Sequence, residues 1–270
     1  MDNLSILNDL NKAKLSFTPF PHVIIKDALP KKLADALTKD FPSNLFDFSE
    51  NNKRLDISAH NVMNNGKISH LWKEFIEYHC SAAFYLEVLR VFEPCFKISE
   101  YNYFSEFSTG IRGINPHRDK QILLDAQISI NTPVTKPSSV RNAHIDNTNK
   151  LFSGLYYIRR DNDDSEGGDL EILSWKESYA NKDKLKYYRE GVSPKHFTKV
   201  KKISYSNNVA IIFLNSINSM HSVSPRHLTP HPRQFVNLVG ELKEDLFIKH
   251  TIFKNHVLTF KEKLRQLIRR

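Results

Sequence analysis

From about residue 96 the chain runs in short apolar stretches broken by turn signals, and this pattern limits its fold more than any other feature. Phe96-Lys-Ile-Ser-Glu-Tyr101 and Ile128-Ser-Ile-Asn131 alternate with the period of two of a half-buried strand. Leu151-Phe-Ser-Gly-Leu-Tyr-Tyr-Ile158 is a stronger strand, followed by a polar turn from Arg160 to Gly168. Gly168-Asp-Leu-Glu-Ile-Leu-Ser174, Val209–Leu214 and Phe235–Glu241 complete the set. Several short strands separated by turns predict a β-sandwich or barrel. The segment 104–120, rich in glycine and charge, reads as a loop.

Upstream the period changes. Phe20–Ile25 reads as a short strand behind a proline. Leu29, Leu33, Ala36, Leu37 and Phe41 then follow helical spacing until Pro42. Residues 44–70 are polar and read as loop, and Ser69 to Phe92 reads as a second helical stretch. Near the end, Val257, Phe260, Leu264, Leu267 and Ile268 repeat at helical spacing among Lys and Arg, which predicts a basic amphipathic helix. The expected organisation is one domain over 1–270: a helical support region (1–95), a β core (96–241) and the basic C-terminal helix (242–270).

Composition narrows the function classes. The chain has 270 residues, 40% hydrophobic and 11% aromatic, enough for a sizeable core. No apolar run of membrane-spanning length occurs, and MDNLSILNDLNKAK does not read as a secretory signal. Two cysteines, Cys80 and Cys95, fit incidental thiols of a reducing compartment, so the expectation is a cytoplasmic protein. A net charge of +9 admits an anionic partner. The densest basic stretches, Lys195–Lys202 and the C-terminal tail, lack the interleaved aromatics of a single-strand groove, which counts against nucleic acid.

Arg141-Asn-Ala-His144-Ile-Asp146-Asn carries the chemistry. On an extended backbone His144 and Asp146 point to one face. With a second imidazole from elsewhere they would form the two-His, one-carboxylate triad that holds Fe(II) and leaves the opposite coordination positions open. Downstream come Gly167-Gly168-Asp169-Leu170, then His221-Ser-Val223, then Arg233 opening a strand.

This order resembles the 2-oxoglutarate- and Fe(II)-dependent dioxygenases, nearest to the prolyl-hydroxylase-like branch. The matching features are His144-x-Asp146-Asn, the strand ending Tyr156-Tyr157-Ile158, Gly-Gly-Asp-Leu, His221-x-Val223 and Arg233. The opening Pro19-Phe-Pro-His-Val-Ile-Ile…Ala-Leu-Pro is similar to the lead-in of bacterial and phage members, so the resemblance runs from about residue 17 to 241. It implies a double-stranded β-helix, a mainly β jelly-roll core with flanking helices. It implies Fe(II) on His144, Asp146 and His221, with 2-oxoglutarate and O2 as co-substrates. The implied reaction is hydroxylation of an unactivated C–H bond of a small-molecule or peptidyl substrate, with release of succinate and CO2.

The far carboxylate of 2-oxoglutarate needs a fixed cation, and a guanidinium can grip it with two parallel bonds. Arg233 is the choice; Arg226, in the proline-rich turn, is the competitor. Where many members of the family place a small hydroxyl residue two positions after the arginine, this chain has Phe235. By the resemblance, Tyr157 and Ser153, four apart on one strand, are candidates for that second contact. His117-Arg-Asp119 is a rival His-x-Asp in a loop, and His117 is a candidate for the substrate mouth. The strand–turn–Gly-Gly layout follows His144 directly and favours His144 and Asp146. The 104–140 and 176–200 loops are expected to line the substrate pocket. The competing functions are a non-oxidative metal- or sugar-binding jelly roll and a basic nucleic-acid binder that kept the fold.

Overall fold

A computed structural model describes residues 4–9, 14–177 and 191–247. The C-terminal helix expected over 253–270 lies outside them, as does most of the 176–200 loop.

The long apolar runs form one large sheet. β1 (Lys14–Ser16), β2 (His22–Lys26), β3 (Arg54–Ile57), β4 (Thr109–Ile111), β5 (Ile122–Asn131), β6 (Lys150–Ile158), β9 (Val209–Leu214) and β11 (Arg233–Leu242) belong to it. Its order is β1-β2-β9-β6-β11-β5-β3, with β4 running parallel to the start of β5. A smaller sheet has the order β10-β7-β8, from β7 (Leu170–Trp175), β8 (Phe197–Ile203) and β10 (His221–Val223). Antiparallel bridges Ser138↔Arg226 and His144↔His221 carry the 138–144 segment along the outer side of β10. The two sheets face each other across a cavity, the jelly-roll arrangement expected from the sequence.

Alternation along the strands separates two environments. Ile122, Leu124, Ala126, Ile128 and Ile130 of β5, and Val236, Leu238 and Leu242 of β11, face a helical layer. That layer is α1 (Lys31–Lys39), α2 (Ala59–Asn64), α3 (His70–His79), α4 (Ala82–Val91) and α5 (Ile98–Ser105). Trp72, Phe75, Phe84 and Leu89 are fully buried in this core, with Phe75 against Tyr156 of β6 at 5.7 Å between ring centroids. Truncating such a ring to Ala costs roughly 3–5 kcal/mol. The opposite face of β5 carries Asp125, Gln127, Ser129 and Asn131, all buried, and Asp125 Oδ1 accepts from Ala59 N–H at the start of α2 at 2.9 Å.

Several local readings are corrected. Phe96–Tyr101 is not a strand: Ile98–Ser105 is helical, and the Lys97 N–H donates to the Glu100 carboxylate at 2.9 Å, a capping bond that outweighs the short alternation. The helical stretch 69–92 is two helices, because the Ser81 hydroxyl accepts from Phe84 N–H and starts α4 anew. The polar 44–70 segment contains β3 and α2, the latter capped by Ser58. The 104–120 loop contains β4. β8 occupies the basic 195–202 stretch, with Lys199 paired to Glu171 at 2.7 Å and Lys202 to Asp169 at 3.1 Å. Lysines along an exposed edge strand discourage further strand pairing.

A candidate metal centre and anion pocket

His144 and His221 exchange both backbone bonds, His144 N–H to His221 O and His221 N–H to His144 O, each 3.0 Å. Residues paired this way sit directly opposite with side chains on one face. Their rings lie 4.3 Å apart between centroids. Asp146, two residues beyond His144, shares that face, and its Oδ1 is 3.5 Å from His144 Nε2. One ligand atom from each of the three residues lies within 4.8 Å of the others, and they form the one such group among the described residues.

The hydrogen bonds fix which atoms are presented. His144 Nδ1 lies 2.7 Å from Asn142 O, and His221 Nδ1 lies 3.0 Å from Ser219 O. A carbonyl cannot donate, so both Nδ1 atoms carry the proton and both Nε2 atoms offer lone pairs. Burial lowers the His221 pKa to about 4, reinforced by His144 and opposed by Asp146. The imidazole is therefore neutral at physiological pH. Burial works to raise the Asp146 carboxyl, but the Lys150 ammonium beside it, first among the opposing causes, holds it well below the usual carboxylate range. The two Nε2 atoms and Asp146 Oδ1 converge as one set of donors for a cation placed among them. This donor set fits Fe(II) or another borderline divalent ion.

Asp146 is oriented by its other oxygen. Ser153 Oγ of β6 donates to Asp146 Oδ2 at 2.6 Å, Asn215 Nδ2 donates to Ser153 Oγ at 3.0 Å, and Lys150 Nζ lies 3.2 Å from Oδ2. Oδ1 is left for a metal. Ser153, a candidate for the co-substrate's carboxylate, thus stands on Asp146 and not beside Arg233. Lys150 and Asn215 escaped the sequence reading; Lys150 four residues after Asp146 was the available signal.

The same cavity, about 610 Å³, is lined by His144, Asp146 and His221 and by Arg233, Asn131, Phe235, Leu155 and Phe213. Arg233 is 2% exposed. It donates through Nη2 to Tyr157 OH at 2.9 Å and through Nη1 to Asn131 Oδ1 at 3.1 Å. Its guanidinium stacks over the Phe235 and Tyr157 rings at 4.7 and 4.8 Å. Nε has no partner, and no carboxylate of the described residues lies within ion-pair distance. A buried guanidinium without a counter-ion carries a large desolvation cost, which a bound anion would offset.

Arg226 is also buried, but both of its Nη atoms are engaged by the protein. Nη1 reaches Asn52 Oδ1 and Thr132 O, Nη2 reaches His231 O, and the residue does not line the cavity. Burial and the neighbouring Arg233 lower its pKa to about 10. Gly168, at φ +76°, lies against both arginines; a Cβ there would sit 2.9 Å from Arg233 Cδ. The Gly-Gly turn therefore holds the arginine layer in place as well as opening β7.

His117 and Asp119 do not join the metal group. Asp119 is exposed beside Arg118 at 3.5 Å, and His117 is absent from the cavity lining. The 104–140 segment supplies Arg112, Asn131 and Val140 to the wall.

No family model matches the chain, and no curated protein matches it by sequence. Solved structures do match. A Shewanella oneidensis protein, provisionally named an oxygenase, is similar over 98% of this chain and 92% of its own, at 11% identity and TM-score 0.50. A Pseudomonas putida prolyl-4-hydroxylase matches 88% of this chain and 98% of its own, at 12% identity and TM-score 0.44. A Trichoplax adhaerens prolyl hydroxylase, solved with a hypoxia-inducible-factor peptide, matches 97% and 90% at 16% identity and TM-score 0.40. At such identities the likeness is one of fold.

Proposed function

We propose that this chain is an oxygenase that uses Fe(II) and 2-oxoglutarate to hydroxylate an unactivated C–H bond. One atom of dioxygen would go to the substrate and the other to succinate, with loss of CO2. The observation that carries this reading is Arg233, a buried guanidinium lacking a carboxylate partner, in one cavity with three converging metal ligands. A metal site alone has no use for it; a dicarboxylate spanning metal and guanidinium does.

His144, Asp146 and His221 would hold the iron on one face. The iron would supply the activation of dioxygen, driven by oxidation of the 2-oxo acid. The chain's own work is positional. The Nδ1 bonds lock both imidazoles, and Ser153 and Lys150 hold one oxygen of Asp146. Arg233, aimed by Asn131, would grip the far carboxylate, and Tyr157 OH would give the second contact that Phe235 cannot. Phe235, Leu155 and Phe213 would keep water from the length between.

The test is visible absorption of anaerobic protein as Fe(II) and then 2-oxoglutarate are added. A charge-transfer band is expected in the native protein and in His117→Ala, and its loss in His144→Ala. Asp146→Ala should abolish turnover. Absence of the band from folded native protein would overturn the proposal in favour of a non-oxidative metal- or sugar-binding jelly roll. Its loss in His117→Ala alone would overturn the ligand assignment.

A further inference from the structure

Arg141 and Lys150 flank the metal ligands, Arg141 three residues before His144 and Lys150 four after Asp146, and both line the cavity. The other cations of the wall are answered. Arg54 bonds Asp56 at 2.9 Å and packs over Phe235; Arg112 bonds Asp125 at 2.7 Å and Glu241 at 3.1 Å. Arg233 has its place on the far carboxylate of the co-substrate. Lys150 has one anionic neighbour, Asp146, whose Oδ2 it shares with Ser153 while Oδ1 is left for the metal. Arg141 has no ion pair among the described residues, although its backbone is fixed by the Val223 N–H to Arg141 O bond at 3.0 Å.

The electrostatics of this pair decide the matter. The Lys150 side chain is only 14% exposed. With a dication on Asp146 it becomes a largely desolvated ammonium facing a like charge, and the exposed Arg141 adds a further positive centre to the same cavity wall. A buried ammonium beside a dication is repelled strongly at reduced dielectric unless an anion enters next to it. Solubility does not explain a lysine drawn into a cavity against a metal ligand.

We propose that the substrate itself carries an oxyanion, a carboxylate or a phosphate, close to the carbon that is oxidised, and that Arg141 and Lys150 receive it. This rests on the oxygenase reading and deepens it. Arg141 supplies a planar fork for two oxygens, Lys150 a point charge beside the metal. The surplus of positive charge around the filled metal and co-substrate sites would select acids over the corresponding amides or alcohols.

The probe is inorganic phosphate, with ¹³C-acetate as the second arm, added to anaerobic protein loaded with Mn(II) and saturating 2-oxoglutarate. Paramagnetic relaxation of the ³¹P or ¹³C nucleus reports an anion held near the metal; the Zn(II)-loaded protein is the diamagnetic blank. With Arg233 occupied by co-substrate, saturable enhancement is expected for at least one anion, and the stronger of the two identifies the group. Arg141→Gln should weaken it at least about tenfold, and Lys150→Met likewise, with the 2-oxoglutarate affinity of Arg141→Gln unchanged. No enhancement for either anion, or enhancement equal in Arg141→Gln, overturns the proposal. Failure of 2-oxoglutarate to alter the Mn(II) resonance overturns the oxygenase reading instead, so the two failures are separable.

Discussion

At the scale of single residues, the candidate metal ligands and the side chains that aim them were unequally legible. His144 and Asp146 could be read because a spacing of two on extended backbone has one geometric meaning. His221 and Arg233 followed from order along the chain. Ser153 was recognisable as cavity-facing, but its partner depends on how residues 147–150 fold back onto β6, which no periodicity encodes. Lys150 and Asn215 were missed for a related reason: lysine and asparagine are ordinary surface residues, and the spacing of Lys150 from Asp146 gains a meaning only once burial is known. The structure makes Ser153 the hinge of the arrangement, between Asn215 and Asp146. Ser153→Ala should therefore lower Mn(II) affinity roughly 10- to 100-fold, the range for outer-shell partners of metal ligands. Ser153→Thr, which keeps the hydroxyl, should recover most of it. Electron paramagnetic resonance titration measures both; unchanged affinity in the alanine variant would leave Lys150 as the sole orienting group.

At the scale of elements, long apolar strands were legible and short polar ones were not. β6 and β9 are mostly apolar and nearly wholly buried, so they read as hydrophobic runs, while β5 and β11 show the alternation of one apolar face and one buried polar face. β3 and β8 are edge strands with exposed charged positions, and their alternation is hidden among Arg, Asp and Lys. The helices are separated by hydroxyl caps that a smooth hydrophobic period overlooks. One helical residue sets a measurable pH dependence. His79 of α3 is fully packed between Phe75 and Phe84, its Nδ1 donates to Phe75 O at 2.7 Å, and its Nε2 faces the Ile6 N–H at 3.4 Å. Burial lowers its pKa to about 4 from an ordinary value of 6.5. Between those values the unfolded chain binds the proton and the folded chain does not. Stability from this residue is full above about pH 6.5 and falls as pH drops toward 4, by about 3 kcal/mol. Melting temperatures of the metal-free protein from pH 7.5 to 4.5 should fall accordingly, and His79→Phe should flatten part of that slope. An identical slope in the variant would assign the effect to other groups.

At the scale of the whole molecule, the two sheets are unequally supported, and the candidate metal ligands lie where they meet. The large sheet is backed by five helices and a continuous core. The small sheet rests on a core of a few side chains between the sheets, among them Leu170, Ile172, Tyr205, Phe213 and Phe235. β10 is three residues long and is held to the 138–144 segment by isolated bridges. His144 and His221 belong to that weaker layer, while the Ser153 that restrains Asp146 stands on the large sheet. A metal joining the three side chains therefore fastens the small sheet to the large one. Binding to the folded state alone stabilises by about 2.7 kcal/mol at a metal concentration a hundred times Kd. For a chain of this length that corresponds to roughly 5–10 °C in Tm. Mn(II) or Zn(II) should raise the melting temperature by this order, EDTA should reverse the rise, and His144→Ala should show none. Amide exchange should slow chiefly in β10 and residues 138–146, with little change in β5 or β11. Uniform protection would mean that the small sheet is already as firmly held as the large one. A rise that persists in His144→Ala would place the stabilising ion elsewhere.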